Sequence, residues 1–167
     1  LKSHKKNKLS IYKKHQDYFN QEAAYLIKSG DDLFKSPGLK MTRTTAESRQ
    51  INDVSPPKII IAGSGMSTGG RILHHEKRYL ADPKNTLLFV CYQVTGTLGR
   101  KILDGAESVR IFGEEVPVNL RLKTISGYSS HADQKGLYSW VEQMKDSLKK
   151  VFVVQGEEKP ALALVQK

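Results

Sequence analysis

Residues 58–70, with the sequence KIIIAGSGMSTGG, decide the fold class. Residues 58–62 form a continuous run rich in β-branched side chains, which is typical of a strand buried on both faces. Glycines and hydroxyl side chains follow directly, and residues 71–80 carry a helical pattern. A strand, a glycine turn and a helix in this order predict an α/β fold built on a parallel sheet.

The next segment of the chain repeats this order. Residues 86–91, TLLFVC, predict a second buried strand, and a polar loop over residues 92–100 leads into a short helix that ends near residue 105. Strands that are joined through a helix in this way run parallel, with right-handed crossovers. Both loops are therefore expected at the carboxyl end of one sheet.

The remaining elements follow from hydrophobic spacing and turn residues. In chain order, the pattern predicts a helix over 10–29, a short strand over 39–44, a short helix over 45–49, a hairpin over 109–118, a strand over 120–125, an amphipathic helix over 134–148 and a buried strand over 151–154.

Charge gives the first indication of function. Of the 167 residues 38% are hydrophobic, and 27 Lys and Arg against 17 Asp and Glu leave a net charge of +10. Residues 1–14 contain six lysines and no acidic residue. A basic surface favours polyanions such as nucleic acid, while the alternative is a lysine-rich end that only aids solubility.

Cysteine usage and hydropathy argue against a disulfide-rich protein, a cysteine-rich zinc protein and a membrane-spanning protein. The single cysteine, Cys91, excludes an internal disulfide framework and a cysteine-rich zinc site. No apolar run approaches the roughly 20 residues that span a bilayer, and the basic start lacks the apolar core of a signal peptide. We therefore expect no membrane partner and a cytoplasmic location.

The glycine turn is the first candidate binding site. A turn that exposes backbone N–H groups at a helix start accommodates an anion such as phosphate, and Ser64, Ser67, Thr68 and Arg71 add side-chain donors. The alternative is a tight turn whose glycines serve packing. It is not a Walker A loop, and a nucleotide-binding oxidoreductase lacks support because no acidic residue ends the next strand to hold a ribose.

Two further segments carry polar groups. The loop over 92–100, YQVTGTLGR, together with the glycine turn, suits an extended phosphate backbone better than one small molecule. In residues 126–133, SGYSSHAD, His131 is either a functional group or a residue that packs or caps at a helix start. Asp133 is expected to cap that helix, and His74 and His75 to be structural.

Taken together, these segments resemble a known family. IIAGSGM with GGRILHH, LFVCYQ with GTLGR, the stretch IFGEEVPV, and SSHAD in place of Ser-Ala-His-Ala-Asp look like the β-CASP cassette of metallo-β-lactamase-type ribonucleases. The relatives are the RNase J-like enzymes and the nuclease subunit of the mRNA 3′-end cleavage machinery. The resemblance runs from about residue 11 to residue 167.

The resemblance implies a fold and a division into domains. It implies a parallel-sheet, Rossmann-like β-CASP domain over 11–124 and the returning C-terminal segment of a metallo-β-lactamase fold, the RNA-specificity segment, over 125–167. Residues 1–10 would be a basic N-terminal segment that is either disordered or not native to the protein.

The resemblance also implies an activity. Family members use two zinc ions to activate a water that attacks an RNA phosphodiester in RNA processing or decay. By the same likeness, His131 matches a histidine that contacts the scissile phosphate or helps proton transfer. The residues expected to face RNA or its phosphates are Ser64, Gly65, Met66, Ser67, Gly69, Gly70, Arg71, Gly96, Thr97, Ser129 and Ser130.

Two departures from the family pattern limit what this chain is expected to do. Gln155 stands where the family has a histidine zinc ligand, and the His-x-His-x-Asp-His motif is absent from the chain. We therefore expect the chain to bind single-stranded RNA without zinc and without cleaving it. An N-terminal metallo-β-lactamase portion is the expected partner, and a homodimer or a non-catalytic RNA-binding scaffold stay open.

Overall fold

The computed structural model describes residues 11–12, 14–30, 36–129 and 131–166. The chain divides into two compact units, Leu1–Ile59 and Ile60–Lys167. The described residues combine helices with short strands, as the α/β prediction requires. Among them, no helix has the length and apolar character needed to cross a bilayer.

The first unit is helical. A 3-10 helix spans Gln16–Tyr18 and helix α1 spans Gln21–Lys28. The single helix predicted over 10–29 is therefore wrong in its described part. Asn20 interrupts it, because its extended backbone and its side chain, which accepts a hydrogen bond from the Ala23 N–H at 2.9 Å, start a new helix there.

Helix α2 spans Thr45–Gln50, as the sequence predicts, and a 3-10 helix, Ile51–Asp53, follows it. Thr44 and Glu47 form a capping box at its start. The N–H groups of Arg43 and Thr44 hold the pKa of Glu47 below its ordinary value. The strand predicted over 39–44 does not form, because its last residues serve this cap instead of a ladder.

The second unit contains the strands and the remaining helices. In chain order these elements are α3 (Ile72–Tyr79), β1 (Thr86–Phe89), α4 (Leu98–Leu103), β2 (Ser108–Ile111), β3 (Glu114–Pro117), β4 (Arg121–Thr124), α5 (Gln134–Glu142) and α6 (Glu158–Val165).

Strand β1 pairs with β4 in parallel, in a register that runs from Thr86 opposite Arg121 to Phe89 opposite Thr124. The connection between them contains α4, as a parallel pair requires. Strands β2 and β3 form an antiparallel hairpin. The hairpin over 109–118 and the strand over 120–125 are thus confirmed. A parallel sheet is confirmed as well, but its pair is β1 with β4 and not residues 58–62 with residues 86–91 as predicted.

The core of this unit lies where α3, β1, α4 and the hairpin meet. Its buried members are Leu80, Phe89, Ile102, Val109, Ile111 and Val116. Burying side chains of this kind contributes about 1.5–3 kcal/mol each relative to leaving them exposed. Leu80 anchors the end of α3, and Leu73 near its start is partly buried against the same cluster. Phe89 is the last residue of β1, so the core also fixes the place where the second candidate loop begins.

Two predicted buried strands do not form. Residues 58–62 and 151–154 join no β-ladder within the described part of the chain. Ile59 and Ile61 are 91% and 86% exposed, and Phe152 and Val154 are 74% and 75% exposed. An extended segment becomes a strand only when a neighbour takes up its N–H and C=O groups. In the part of the chain that the structure describes, the ladders join only β1 to β4 and β2 to β3.

Two further predictions hold in part. Strand β1 forms but is not buried on both faces, since Leu88 is 47% exposed whereas Phe89 is buried. Helix α5 ends at Glu142 rather than near residue 148. Beyond it, Met144 donates to the Val141 carbonyl at 3.0 Å, so the chain tightens into turns with an i to i+3 spacing.

Candidate nucleic-acid interface

The glycine turn over residues 63–70 has an unusual backbone. Ser64 and Ser67 have φ values of 69° and 54°, in the left-handed region that non-glycine residues rarely occupy. The turn folds back on itself, because the Ser64 hydroxyl accepts a hydrogen bond from the Thr68 N–H at 3.2 Å. Backbone strain of this kind persists only where the surroundings hold it in place.

A buried carboxyl group supports the turn from beneath. Ser67 is 2% exposed, and its hydroxyl donates to Oε1 of Glu76, which lies on α3 and is 4% exposed. The other oxygen, Oε2, is buried and has no hydrogen-bond partner among the residues that the structure describes. Burial raises the pKa of Glu76, and the Ser67 hydroxyl offsets part of that rise.

Gln93 joins the glycine turn to the second loop. It is 2% exposed, and its Nε2 donates to the carbonyls of Gly65 at 2.7 Å and Cys91 at 3.0 Å. The Gly99 N–H donates to the carbonyl of Met66 at 3.1 Å. With the Ser67 contact, three consecutive residues of the turn are therefore held by three different parts of the unit.

Two glycines are required by the close approach of the loops. A Cβ on Gly65 would lie 2.6 Å from Sγ of Cys91, and one on Gly99 would lie 1.9 Å from Oε1 of Gln93. Neither distance is compatible with normal packing. The glycines at 65 and 99 therefore allow the second loop to lie directly against the turn.

The second loop is fixed mainly by its own helix. The Thr97 hydroxyl donates to the Val94 carbonyl at 2.7 Å and accepts from the Arg100 N–H at 3.2 Å, so it caps α4. Arg100 Nε donates to both carboxylate oxygens of Asp104, at 2.8 and 3.0 Å. The hydroxyl predicted to face RNA is thus engaged by the backbone in this structure.

Glu157 connects the second loop to the segment before α6. Its Oε1 accepts from the Thr95 hydroxyl at 2.7 Å and lies 3.5 Å from Nη1 of Arg100. Hydrogen bonds from the Tyr92 and Thr95 hydroxyls lower the pKa of Glu157, and the same carboxylate raises the pKa of Tyr92. Gln155, which stands at the position of the family's histidine ligand, lies two residues before Glu157. It is exposed and has a φ of 62°.

The third predicted segment, residues 126–133, makes no hydrogen bond to the two loops through His131 or Ser129 in the described part of the chain. His131 and Ser129 are exposed, and the His131 N–H donates to the Ser129 hydroxyl at 3.2 Å. Asp133 caps α5 by accepting from Gly136 N–H at 2.8 Å, as predicted. Ser130 lies outside the described residues.

The structure brings most of the predicted residues of the first two loops into one region. Gly65 and Met66 contact the second loop directly, and Gly69, Gly70 and Arg71 lead into α3. Ser67 is buried within the turn, and its hydroxyl donates to Glu76 instead of facing outward as predicted. Gly96, with a φ of 88°, precedes the Thr97 cap.

Sequence reasoning missed the residues that hold the loops together. Gln93 lies within the second loop, but an amide side chain in a loop gives no sign in the sequence that it is buried. Glu76 was detectable, because its spacing of four residues from Ile72 and from Leu80 places it on the apolar face of α3. His75, on the same helix, is buried and stacks on Tyr79, as expected of a structural residue.

The described residues do not provide a complete set of zinc ligands. Structural and catalytic zinc sites use three or four histidine, cysteine or carboxylate ligands. Across residues 11–12, 14–30, 36–129 and 131–166, no three such side chains lie close enough to hold a metal ion. The residues described do not fit a zinc centre by themselves.

Comparison with protein families agrees with this geometry. The Beta-Casp domain model matches residues 2–102, which include the glycine turn and the whole second loop. The chain belongs to the β-CASP family. A second model, the Zn-dependent metallo-hydrolase RNA specificity domain, matches residues 115–167 and therefore includes His131 and Glu157.

Individual β-CASP relatives are similar over nearly the whole chain. Ribonuclease TTHA0252 of Thermus thermophilus is 41% identical over 156 residues, which are 93% of this chain and 35% of that protein. Transcription termination factor FttA of Methanocaldococcus jannaschii is 36% identical over 92% of this chain and 25% of its own length. The chain thus spans about a third or less of the curated relatives it matches.

Proposed function

We propose that this β-CASP chain is the RNA-binding portion of a zinc-dependent ribonuclease that hydrolyses RNA phosphodiester bonds in RNA processing or decay. The observation that carries the proposal is the joining of two glycine-rich loops by Gln93 and Gly99 next to the end of β1. Two adjacent polar loops suit a linear polyanion, and the net charge of +10 supports the same class of ligand.

The residues of this region would have three different roles in binding RNA. The outer parts of the glycine turn and Arg71 would bind phosphates of single-stranded RNA, because backbone N–H groups and a guanidinium fork both suit phosphate oxygens. Gln93 and Glu76 would hold the turn in the binding geometry from below. His131 would contact the scissile phosphate when RNA crosses from these loops to the metal centre.

Zinc would bind elsewhere in the whole protein. Because the described residues do not fit a metal centre, we place the ligands for two zinc ions mainly in a metallo-β-lactamase portion outside this chain. The coverage of the relatives, 25–35% of their length, supports a partner portion of this kind. The lone cysteine supports a reducing, cytoplasmic location.

The test uses the chain with labelled single-stranded RNA, with zinc or with chelator, and measures binding and cleavage together. We expect binding that weakens with salt and no cleavage in either condition. Zinc-dependent cleavage that His131→Ala abolishes would contradict the assignment of the metal centre to another part of the protein. Absence of any RNA binding would contradict the proposal itself.

Arg71→Ala tests the assigned loop. Removal of one phosphate contact should weaken binding to all sequences and reduce the slope of log K against log salt by about 1. Lys145→Ala is the matched control, because it removes an equal charge from the turns after α5. An unchanged slope for Arg71→Ala would place the phosphate contacts elsewhere.

A second candidate function is a non-catalytic RNA-binding scaffold, and Gln155 is the observation that favours it. Gln155→His in the whole protein distinguishes the two functions. Activity that appears only in the variant would indicate a lost ligand, whereas activity in the parent protein would contradict the scaffold.

A further inference from the structure

The tip of the β2–β3 hairpin carries an exposed aromatic residue in a strained conformation. Ile111 pairs with Glu114, so Phe112 and Gly113 form a two-residue turn, with φ values of 52° and 83°. Positive φ at both positions defines a type I′ turn, which strongly prefers Asn-Gly. Phe112 therefore occupies a position where a bulky side chain is unfavourable, and it is 54% exposed.

The Phe112 ring lies beside a second aromatic ring. His74 on α3 is exposed, and its ring centroid lies 4.6 Å from that of Phe112 with an angle of 34° between the planes. An ion pair between Lys77 and Glu114, at 2.5 Å, joins the same helix to the same hairpin. The two rings thus form an outward-facing aromatic pair on a rigid support, which we call the hairpin-tip platform.

The platform lies near the start of α3, next to the glycine turn. The His74 N–H donates to the Arg71 carbonyl at 3.2 Å, so the two residues are one turn apart, and side chains at this spacing are about 5–6 Å apart at Cβ. Arg71, Lys77 and Arg78 lie three or four positions from His74, so they are its neighbours on the helix surface. Lys77 is paired with Glu114, and the other carboxylate at the tip, Glu115, accepts from the Ser108 hydroxyl at 2.6 Å.

We propose that the hairpin-tip platform, Phe112 with His74, stacks a base of single-stranded RNA whose phosphates bind at the glycine turn. This inference rests on the proposed function. Exposed rings beside cationic side chains are the arrangement that binds single strands without sequence preference, because every base offers a face for stacking. A ligand that uses the ring would account for an exposed aromatic residue at a turn position that disfavours it.

The decisive variant is Phe112→Asn in the whole protein. Asparagine suits a type I′ turn, so the variant is expected to fold and to keep or raise the thermal midpoint. Its affinity for single-stranded RNA should fall at least about fivefold, the lower end of the loss for one stacked base. Phe112→Trp should keep the parent affinity, and Tyr18→Asn, at another exposed ring beside a histidine, should leave it unchanged.

Fluorescence of an RNA that contains 2-aminopurine reports stacking directly. Quenching on binding should be seen with the parent protein and with Phe112→Trp, and should be lost with Phe112→Asn. Equal affinity and equal quenching for Phe112→Asn would overturn the inference while leaving RNA binding intact. A changed oligomeric state with unchanged RNA affinity would overturn it too, in favour of a contact between copies. Failure of the parent protein to bind RNA would instead contradict the proposed function.

Discussion

Replacing Glu76 with glutamine should remove a pH dependence from the stability of the chain. In the folded state burial raises the pKa of this carboxyl above its ordinary value of 4.5. The folded chain therefore holds the proton more tightly than the unfolded chain, and the free energy of unfolding falls as pH rises from 4.5 through the folded pKa. Glutamine keeps an oxygen that can accept from Ser67 but does not titrate.

The size of the effect follows from the linkage. One carboxyl group can change the free energy of unfolding by at most about 1.4 kcal/mol per pH unit, and only between its two pKa values. For a chain of this length that slope corresponds to about 3–5 °C in Tm per pH unit. Above the folded pKa the difference between Glu76→Gln and the parent chain should become constant, with the variant the more stable of the two.

Thermal unfolding followed by circular dichroism, from about pH 4.5 to about pH 8, measures this difference. Glu142→Gln is the matched control, because it makes the same change at an exposed carboxyl group of the same chain. Parallel curves for Glu76→Gln and the parent chain would refute the reasoning, since they would mean that the buried carboxyl titrates alike in both states.

Three other perturbations test the supports of the loops and of α2. Gly99→Ala should lower the free energy of unfolding by about 1–3 kcal/mol, and Gln93→Ala in the same chain should relieve part of that loss, a coupling that a double-mutant cycle measures. Thr44→Ala should cost about 0.5–2 kcal/mol through the capping box, measured by urea unfolding. Glu157→Gln should lower the pKa of Tyr92 towards its ordinary value in an ultraviolet titration, and an unchanged titration would contradict the contact between them.

Elements whose partners are close in sequence could be predicted. The hairpin over 109–118 and helix α2 depend on turn and cap residues within a few positions of each other, and both form as expected. Strand β1 followed from its apolar run, but its parallel partner did not, because the alternation of strands and helices predicted residues 58–62 at that place and the structure has β4 there. The likeness of the loops to the β-CASP cassette was also sufficient to identify the family.

What could not be predicted depends on tertiary partners. The apolar run at 58–62 has the composition of a strand, but composition does not supply the neighbouring ladder that a strand needs. Gln93 is a polar loop residue in the sequence, and only the folded chain shows that it is buried against Gly65 and Gly99. The left-handed serines of the glycine turn were likewise hidden, because glycine is the residue that normally signals such a backbone.

The unpaired apolar segments have a consequence for the behaviour of the chain in solution. Ile59 and Ile61, and separately Phe152 and Val154, expose large apolar side chains close together in sequence, and such surfaces promote self-association. The net charge of +10 opposes association through mutual repulsion, and that repulsion weakens as salt shortens the Debye length to about 8 Å at physiological ionic strength. Added salt should therefore drive copies together while it drives RNA off. Light scattering at each ionic strength separates the colloidal effect from the loss of phosphate contacts.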